Sequence, residues 1–329
     1  MSALVEQRAP CRIDVHHHFF PSSLDKAKSN EKVGWRTPAE NLPWKPEISL
    51  RFMDASKIDV AILSFPPIAA GFVGQESRDL ARGRNRGMAD ICAAHPGRFG
   101  FFATLPFLDD VEGALAEITY ALDELHADGI ALSSSYGEGS NAMYIGDDRY
   151  DPIWRALNAR GTTVFLHGAQ TPSSAPYPHP FLGLPVTEVP NETFKAAAHL
   201  VVTGRKRTYP DARVILAHLG GCTPFLASRV AVLSRHMGCE LSPDEIMDDF
   251  KSFYYETALS AHETTLTMMD TFVSPERILF GTDFPAVSGE MVSWYTHNLE
   301  QFHEKAGNLV RLEGVMAANA LGLFPKFRV

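Results

Sequence analysis

The sequence predicts an α/β protein built as a closed (β/α)₈ barrel, also known as a TIM barrel. Short apolar runs rich in β-branched residues alternate with longer amphipathic stretches along the 329 residues, which is typical of parallel strands joined by helices. The apolar runs number eight, the count that closes such a barrel. No Gly-x-Gly-x-x-Gly motif follows any of them, which disfavours an open doubly wound sheet.

The eight expected strands are distributed over the whole chain. They are Cys11–His18, Asp59–Ser64, Phe99–Thr104, Gly129–Ser133, Thr162–His167, Arg213–Ala217, Phe253–Thr257 and Arg277–Gly281. Helices are expected at Ser77–His95, Val111–Ala127, Pro152–Arg160, Glu192–Tyr209, Thr223–Met237, Ser242–Lys251 and His262–Phe272. The sequence has no repeat, low-complexity tract or linker, so we expect residues 1–329 to form a single domain.

Two long segments follow predicted strands and are rich in proline. Phe20–Ile48 follows the first strand, and Thr171–Pro190 follows the fifth. Loops after the strands of a barrel build its functional face, so we expect the first segment to be a long irregular insertion that covers the barrel mouth. We expect the second to form another wall of the pocket. The segment Leu299–Val329 is expected to pack on the barrel as one or two helices.

Composition excludes several classes of function. The net charge is −9, which gives no electrostatic reason to bind nucleic acid. No apolar run approaches the roughly 20 residues needed to cross a bilayer, and Met1–Pro10 lacks an apolar signal core. We therefore expect a cytoplasmic protein. Four scattered cysteines without a Cys-x-x-Cys pair disfavour a disulfide scaffold, and a homodimer is the default expectation for oligomeric enzymes.

A histidine pair on the first strand indicates a metal site. His16 and His18 lie two residues apart on a predicted strand, so their side chains share one face. His17 points to the other face and is expected to be structural. Imidazoles on one face of a strand form part of a site that needs further ligands from elsewhere in the chain.

Three later strands end in residues that can bind a metal. His167 follows the fifth strand, His218 the sixth and Asp283 the eighth. Since the carboxyl ends of barrel strands converge, His16, His18, His167 and Asp283 are predicted to hold one divalent metal ion. Three imidazoles and a carboxylate suit Zn²⁺, with Mn²⁺ as the alternative.

The role of His218 depends on the number of metal ions. Barrel sites with two bridged metals need an anionic bridge, often a modified lysine after the fourth strand. Here that strand runs into Ser133, Ser134 and Ser135 and offers no lysine, so we expect one metal ion. His218 is then expected to act as a general acid or base, since histidine titrates near neutral pH. Its role as a fifth ligand stays open.

These motifs resemble a known family. The resemblance rests on Ile13–His18 with Pro21, on His167, on His218–Gly221 and on Gly281–Pro285. In this order, over nearly the whole chain, they resemble the amidohydrolase superfamily, and in particular the branch of aminocarboxymuconate-semialdehyde decarboxylase and metal-dependent aromatic acid decarboxylases. The segments His95–Pro106, Leu122–Leu125 and Asp128–Gly129 are similar to 6-methylsalicylate decarboxylases.

The resemblance implies a reaction and roles for the site residues. It implies a mononuclear metal centre and non-oxidative loss of CO₂ from a small aromatic carboxylic acid of the salicylate type, with 6-methylsalicylate giving 3-methylphenol. The metal ligands of the family correspond to His16, His18, His167 and Asp283, and the acid/base histidine to His218. Direct loss of CO₂ would leave an aryl carbanion, so the ring carbon must be protonated first. Relatives favour Asp283 over His218 as that donor.

The resemblance also suggests residues that bind the substrate. Arg51 matches a family pattern and is the first candidate to bind the carboxylate. Arg36 in the long segment and Arg229 on the helix after His218 are further candidates, and Phe284 follows Asp283 in the last motif. Two alternatives remain: a metal-dependent hydrolase of a lactone or an amide, in which the metal activates water, and a metal-stabilised barrel without turnover.

Overall fold

Eight parallel strands form one sheet in the order in which they occur along the chain. The structure is a computed structural model that describes residues 11–67, 71–137, 139–170 and 177–328. The strands are β1 Ile13–His18, β2 Val60–Ser64, β3 Phe99–Thr104, β4 Gly129–Ser133, β5 Thr163–His167, β6 Arg213–Leu216, β7 Tyr254–Glu256 and β8 Ile278–Leu279. Each lies within its predicted segment, so the predicted (β/α)₈ barrel is confirmed.

The barrel closes where β8 and the loop after it meet β1. The backbone N–H of Val15 donates to the carbonyl of Phe280 at 3.0 Å, and that of Asp283 donates to the carbonyl of His16 at 2.8 Å. His18 N–H donates to the carbonyl of Phe284 at 2.7 Å. These bonds hold Asp283 beside the His-x-His motif.

Thirteen α-helices surround the sheet in the described part of the chain. They are α1 Lys26–Val33, α2 Pro46–Ala55, α3 Gln75–Ala94, α4 Val111–Asp123, α5 Asp151–Ala159, α6 Leu184–Val202, α7 Arg205–Thr208, α8 Thr223–His236, α9 Pro243–Lys251, α10 Glu263–Phe272, α11 Gly289–Lys305, α12 Leu309–Glu313 and α13 Asn319–Leu323. A short antiparallel pair, Ser135–Tyr136 with Met143–Tyr144, follows β4. None of these helices combines the length and apolar character needed to span a bilayer.

The two proline-rich segments contain more helix than the sequence predicts. In the first, α1 begins after Asp25, whose carboxylate accepts a hydrogen bond from the Lys28 N–H at 3.0 Å. In the second, α6 begins at Leu184 although Pro190 lies inside it. Burial of Leu184 and Val189 outweighs the hydrogen bond that Pro190 cannot make. Residues 171–176 of the predicted wall lie outside the described part of the chain.

The last described residues close the amino-terminal end of the barrel. Asn319 donates to the carbonyl of Ile278, where β8 begins. Phe324 is 2 % exposed and packs edge-on against Phe102 of β3, with ring centroids 5.8 Å apart. Phe102 in turn stacks on Phe165 of β5. In the described part of the chain, the interior at this end of the barrel is therefore a packed core.

We expect Phe324→Ala to lower the free energy of unfolding by about 3–5 kcal/mol, the usual effect of deleting a buried aromatic ring. Urea denaturation measures this loss. Val310→Ala is the control, because Val310 is 82 % exposed and its truncation should change stability by less than about 0.5 kcal/mol. Equal effects of the two substitutions would contradict the role of Phe324 in closing the barrel.

Candidate metal centre

Side-chain alternation along β1 places its three histidines in two environments. Pairing with β2 shifts between Asp14 and His17. His16 and His18 point to the barrel axis, where their Nε2 atoms lie 3.2 Å apart. His17 bonds the Asp14 carboxylate at 2.9 Å and the Ser49 hydroxyl of α2 at 2.8 Å. His17 therefore ties the strand to an outer helix.

Five buried side chains from four strand ends meet at the carboxyl-terminal face. Asp283 Oδ1 lies 3.0 Å from His18 Nε2 and 3.4 Å from His16 Nε2. Ligand atoms of His16, His167 and His218 lie within 4.8 Å of one another. Each of the five side chains belongs to a residue that is at most 7 % exposed. The structure thus brings together all the residues that the sequence predicts for the metal centre.

Second partners fix the orientation of the four histidine rings. Each ring bonds an acceptor through Nδ1, which directs the lone pair of Nε2 towards the centre. The acceptors are the Glu256 carboxylate for His16, the Ser64 carbonyl for His18, the Gly168 carbonyl for His167 and the Ala258 carbonyl for His218. Converging lone pairs repel each other unless a cation lies between them.

The carboxylate in the cluster also fits a bound cation. Asp283 Oδ1 is buried and accepts no hydrogen bond from the described residues. Burial opposes ionisation, but His16 and His18 hold the pKa of Asp283 well below its usual range. Burial likewise opposes a charge on His16, yet Glu256 and Asp283 raise its pKa to about 10. The pocket therefore favours positive charge at this point, and its donor set fits a divalent metal ion.

Glu256 is a residue of the site that the sequence reasoning missed. It ends β7 and is fully buried. Its Oε1 accepts hydrogen bonds from His16 Nδ1 at 2.8 Å and from the His218 N–H at 2.6 Å. At Gly281 a Cβ atom would overlap the Glu256 carboxylate, so this glycine makes room for it. The sequence offered one signal for Glu256, its position near the carboxyl end of the seventh predicted strand, because His167 lies at the same end of the fifth.

Connected cavities lead from the centre to the surface. One cavity, of about 850 Å³ including its open side, contacts His18 and His167 and is otherwise walled largely by apolar and aromatic side chains. A second, of about 470 Å³, shares these two histidines and extends past His218, Asp283 and Lys26. The first proline-rich segment, which is predicted to cover the barrel mouth, contributes Trp35 to the lining of this second cavity.

The four predicted substrate-binding residues are not brought to the centre. Arg36, Arg51 and Arg229 are exposed, and none lines a described cavity that reaches the metal-binding residues. On α2 and α8, other residues face the core, so these arginines project to solvent. Phe284 stacks on Phe52 of α2 at 3.8 Å, on the outer side of the barrel. Half-buried Arg84 and Lys26 line the cavities instead.

The chain is similar to proteins of known activity over nearly its whole length. A family model described as "Amidohydrolase" matches residues 13–326. A 6-methylsalicylic acid decarboxylase of Aspergillus aculeatus is 38% identical, covering 96% of this chain and 97% of that protein. A 6-methylsalicylic acid decarboxylase of Penicillium expansum is 34% identical, covering 96% of this chain and 97% of that protein.

A solved structure shares the fold. The dihydroxybenzoic acid decarboxylase of Polaromonas sp. JS666 superimposes with a TM-score of 0.82 at 24% identity, covering 97% of this chain and 98% of that one. The expected family is confirmed by the family model and by relatives above 30% identity. The chain belongs to the amidohydrolase family, in its branch of metal-dependent carboxy-lyases that act on aromatic hydroxy acids.

Proposed function

We propose that this chain decarboxylates 6-methylsalicylate to 3-methylphenol and CO₂, with one divalent metal ion at the cluster of four histidines and Asp283. The observation that carries the proposal is a buried metal-binding cluster that opens directly into a largely apolar cavity of about 850 Å³. Such a cavity accommodates an aromatic ring beside polar groups that orient it. The two decarboxylases at 38% and 34% identity support the substrate.

The proposed mechanism protonates the ring before CO₂ leaves. A bound divalent ion would act as a Lewis acid on the oxygens of the substrate. Asp283 gives a proton to the ring carbon that carries the carboxylate. The C–C bond then breaks, CO₂ departs, and the bonding electrons restore the aromatic ring, so that a hydrogen replaces the carboxylate.

Asp283 must gain a proton before it can give one. His16 and His18 keep it ionised in the resting protein. His218 lies in the same cluster with its Nδ1 bonded to the Ala258 carbonyl, which leaves Nε2 to exchange protons. We assign His218 the task of holding the proton and returning it to Asp283. The two side chains would then act together in general acid–base catalysis.

The proposed ligands are His16, His18, His167 and Asp283, and Zn²⁺ is the proposed ion with Mn²⁺ as the alternative. Nitrogen and oxygen donors accept either ion. The solved Polaromonas decarboxylase contains manganese, as does a 5-carboxyvanillate decarboxylase of Novosphingobium aromaticivorans at 20% identity. These two structures support manganese, whereas the three imidazoles support zinc.

A homodimer is also proposed, and a cytoplasmic location stays a prediction. Apolar side chains on α8 support self-association, since Phe225 is 74 % exposed and Val232, seven residues further along the helix, is 59 % exposed. Exposed apolar groups of this size mark surfaces that bind other protein surfaces.

We expect the metal-containing protein to convert 6-methylsalicylate to 3-methylphenol with one CO₂ per substrate. A chelator should abolish the activity, and adding back Zn²⁺ or Mn²⁺ separately should restore it and identify the preferred ion. CO₂ release and product chromatography measure turnover, and elemental analysis gives the metal content. Hydrolysis of lactones in a pH-stat, without CO₂ release from any 2-hydroxybenzoate, would overturn the proposal in favour of a hydrolase.

We expect Asp283→Asn to lower CO₂ release by roughly 10²- to 10⁴-fold, the usual contribution of a general acid. In D₂O the variant should also lose exchange of the ring hydrogen of 3-methylphenol, because an amide cannot donate this proton. Nuclear magnetic resonance follows the exchange. Metal content must be measured in parallel, since Asp283 is also a proposed ligand. Exchange that persists in a fully metallated variant would assign the proton to another donor.

We expect Glu256→Gln to weaken metal binding by roughly 10- to 100-fold, because partners that orient a ligating histidine contribute that much. Competition with a chelating dye measures the dissociation constant. Glu117→Gln is the control: Glu117 is also buried and accepts hydrogen bonds from Arg82 and Asn85, away from the centre. If both variants bind metal as the parent does, Glu256 does not position His16.

A further inference from the structure

Arg84 places a positive charge in the cavity beside the metal-binding residues. It lies on α3, and its guanidinium is 3.9 Å from the centroid of the Phe65 ring. The cavity that it lines also contacts His18 and His167. Among the described residues of this lining, Arg84 is the only arginine, lysine or carboxylate.

Arg84 differs from the other arginines of α3 in having no polar partner among the described residues. Arg78 forms an ion pair with Asp110 at 2.6 Å, and Arg82 forms one with Glu117 at 2.8 Å. Arg86 donates to the Tyr120 hydroxyl. Arg84 makes no hydrogen bond or ion pair with any residue in the described ranges, although it is half-buried. Burial, unopposed by any carboxylate, lowers its pKa. A cation so placed gains stability when an anion binds beside it.

The backbone that carries Arg84 is fixed against the barrel. The Asn85 side chain donates to the carbonyl of Thr104 and accepts from the N–H of Thr104, both at 2.8 Å. Asn85 also donates to Glu117 at 2.7 Å. These bonds hold the helix to the end of β3, so Arg84 faces the cavity from a rigid support rather than from a loop.

Two hydroxyl groups in the same cavity also lack hydrogen-bond partners within the described part of the chain. Thr104 ends β3 and Ser133 ends β4, and both line the cavity with Arg84. Thr104 Oγ1 and Ser133 Oγ are buried and form no hydrogen bond with the described residues. Buried hydroxyls are normally hydrogen-bonded. The cavity therefore contains a cation and two free hydroxyls within a largely apolar wall.

We propose that Arg84 binds the carboxylate of the aromatic acid, assisted by the hydroxyl groups of Thr104 and Ser133. The inference deepens the proposed function and rests on it for the identity of the substrate. A salicylate offers one anionic group at neutral pH, its carboxylate, since a free phenol is neutral. The unpaired cation therefore selects this group.

This arrangement orients the substrate. The carboxylate lies between Arg84 on one side and the cluster that includes His18 and His167 on the other. The ring then lies against the apolar side chains of the cavity, among them Leu105, Phe107 and Tyr136. Arg84 thereby takes the task that the sequence suggested for Arg51, and it favours acids over neutral amides and esters of the same shape.

A matched pair of ligands tests the proposal on the metal-containing protein. The acid 2-methylbenzoate lacks the phenol, and 2-methylbenzamide is its neutral isostere. We expect Arg84→Leu to weaken binding of the acid by about 10- to 100-fold, the loss of charge-assisted hydrogen bonds, and to change binding of the amide by less than about threefold. Isothermal titration calorimetry gives both constants. With 6-methylsalicylate, KM should rise more than kcat falls.

Arg86→Leu is the control, because Arg86 is an exposed arginine of the same helix, and this variant should bind the acid as the parent does. Arg84→Lys should recover part of the affinity, and it also serves if Arg84→Leu does not fold. Unchanged affinity for the acid, or equal loss for acid and amide, would overturn the proposal. Binding needs no turnover, so a protein that binds the acid through Arg84 but releases no CO₂ would disprove the proposed function alone.

Discussion

The carboxylate of Glu256 is the constraint on which the metal centre depends. It accepts hydrogen bonds from the ring of His16, from the backbone of His218 and from the backbone of Ala258. One buried anion thus sets the orientation of the His16 ring on β1 and the path of the chain after β6 and β7. An unpaired carboxylate in this position would be strongly unfavourable. Its charge also draws positive charge to His16, where a divalent ion would satisfy both Glu256 and Asp283.

The sequence predicted the fold and the cluster because both follow from regular patterns. Eight apolar runs indicate the strands, and the convergence of strand ends in a barrel predicts that His16, His167 and Asp283 lie together. Glu256 was not predicted, because nothing in the sequence around this glutamate indicates its partner His16, which lies 240 positions away in the chain. The α1 helix was not predicted because Val33 is its only buried residue, so no apolar periodicity marks it in the sequence.

Arg51 lies away from the metal-binding cluster for a different reason. Arg51 was chosen from a motif, and motifs do not report which side of a helix meets the barrel. The burial of Ser49, Phe52 and Met53 turns Arg51 outwards. In α3 the polar partners determine which arginine faces the cavity. Asp110, Glu117 and Tyr120 bind the three other arginines of the helix, and Arg84 lines the cavity. Such pairings depend on tertiary packing, which a single sequence does not encode locally.

Closure of the barrel between its first and last strands has a consequence for how the protein matures. Thr282 bonds Asp14 across a separation of 268 positions, and the same seam joins His16 and His18 to Asp283. Contacts between such distant positions form slowly, because much of the intervening chain must be ordered first. His16 and His18, near the start of the chain, thus meet Asp283 only when the barrel closes. The complete set of metal-binding side chains therefore exists only when the first and last strands are paired, so that metal affinity and closure of the barrel are coupled.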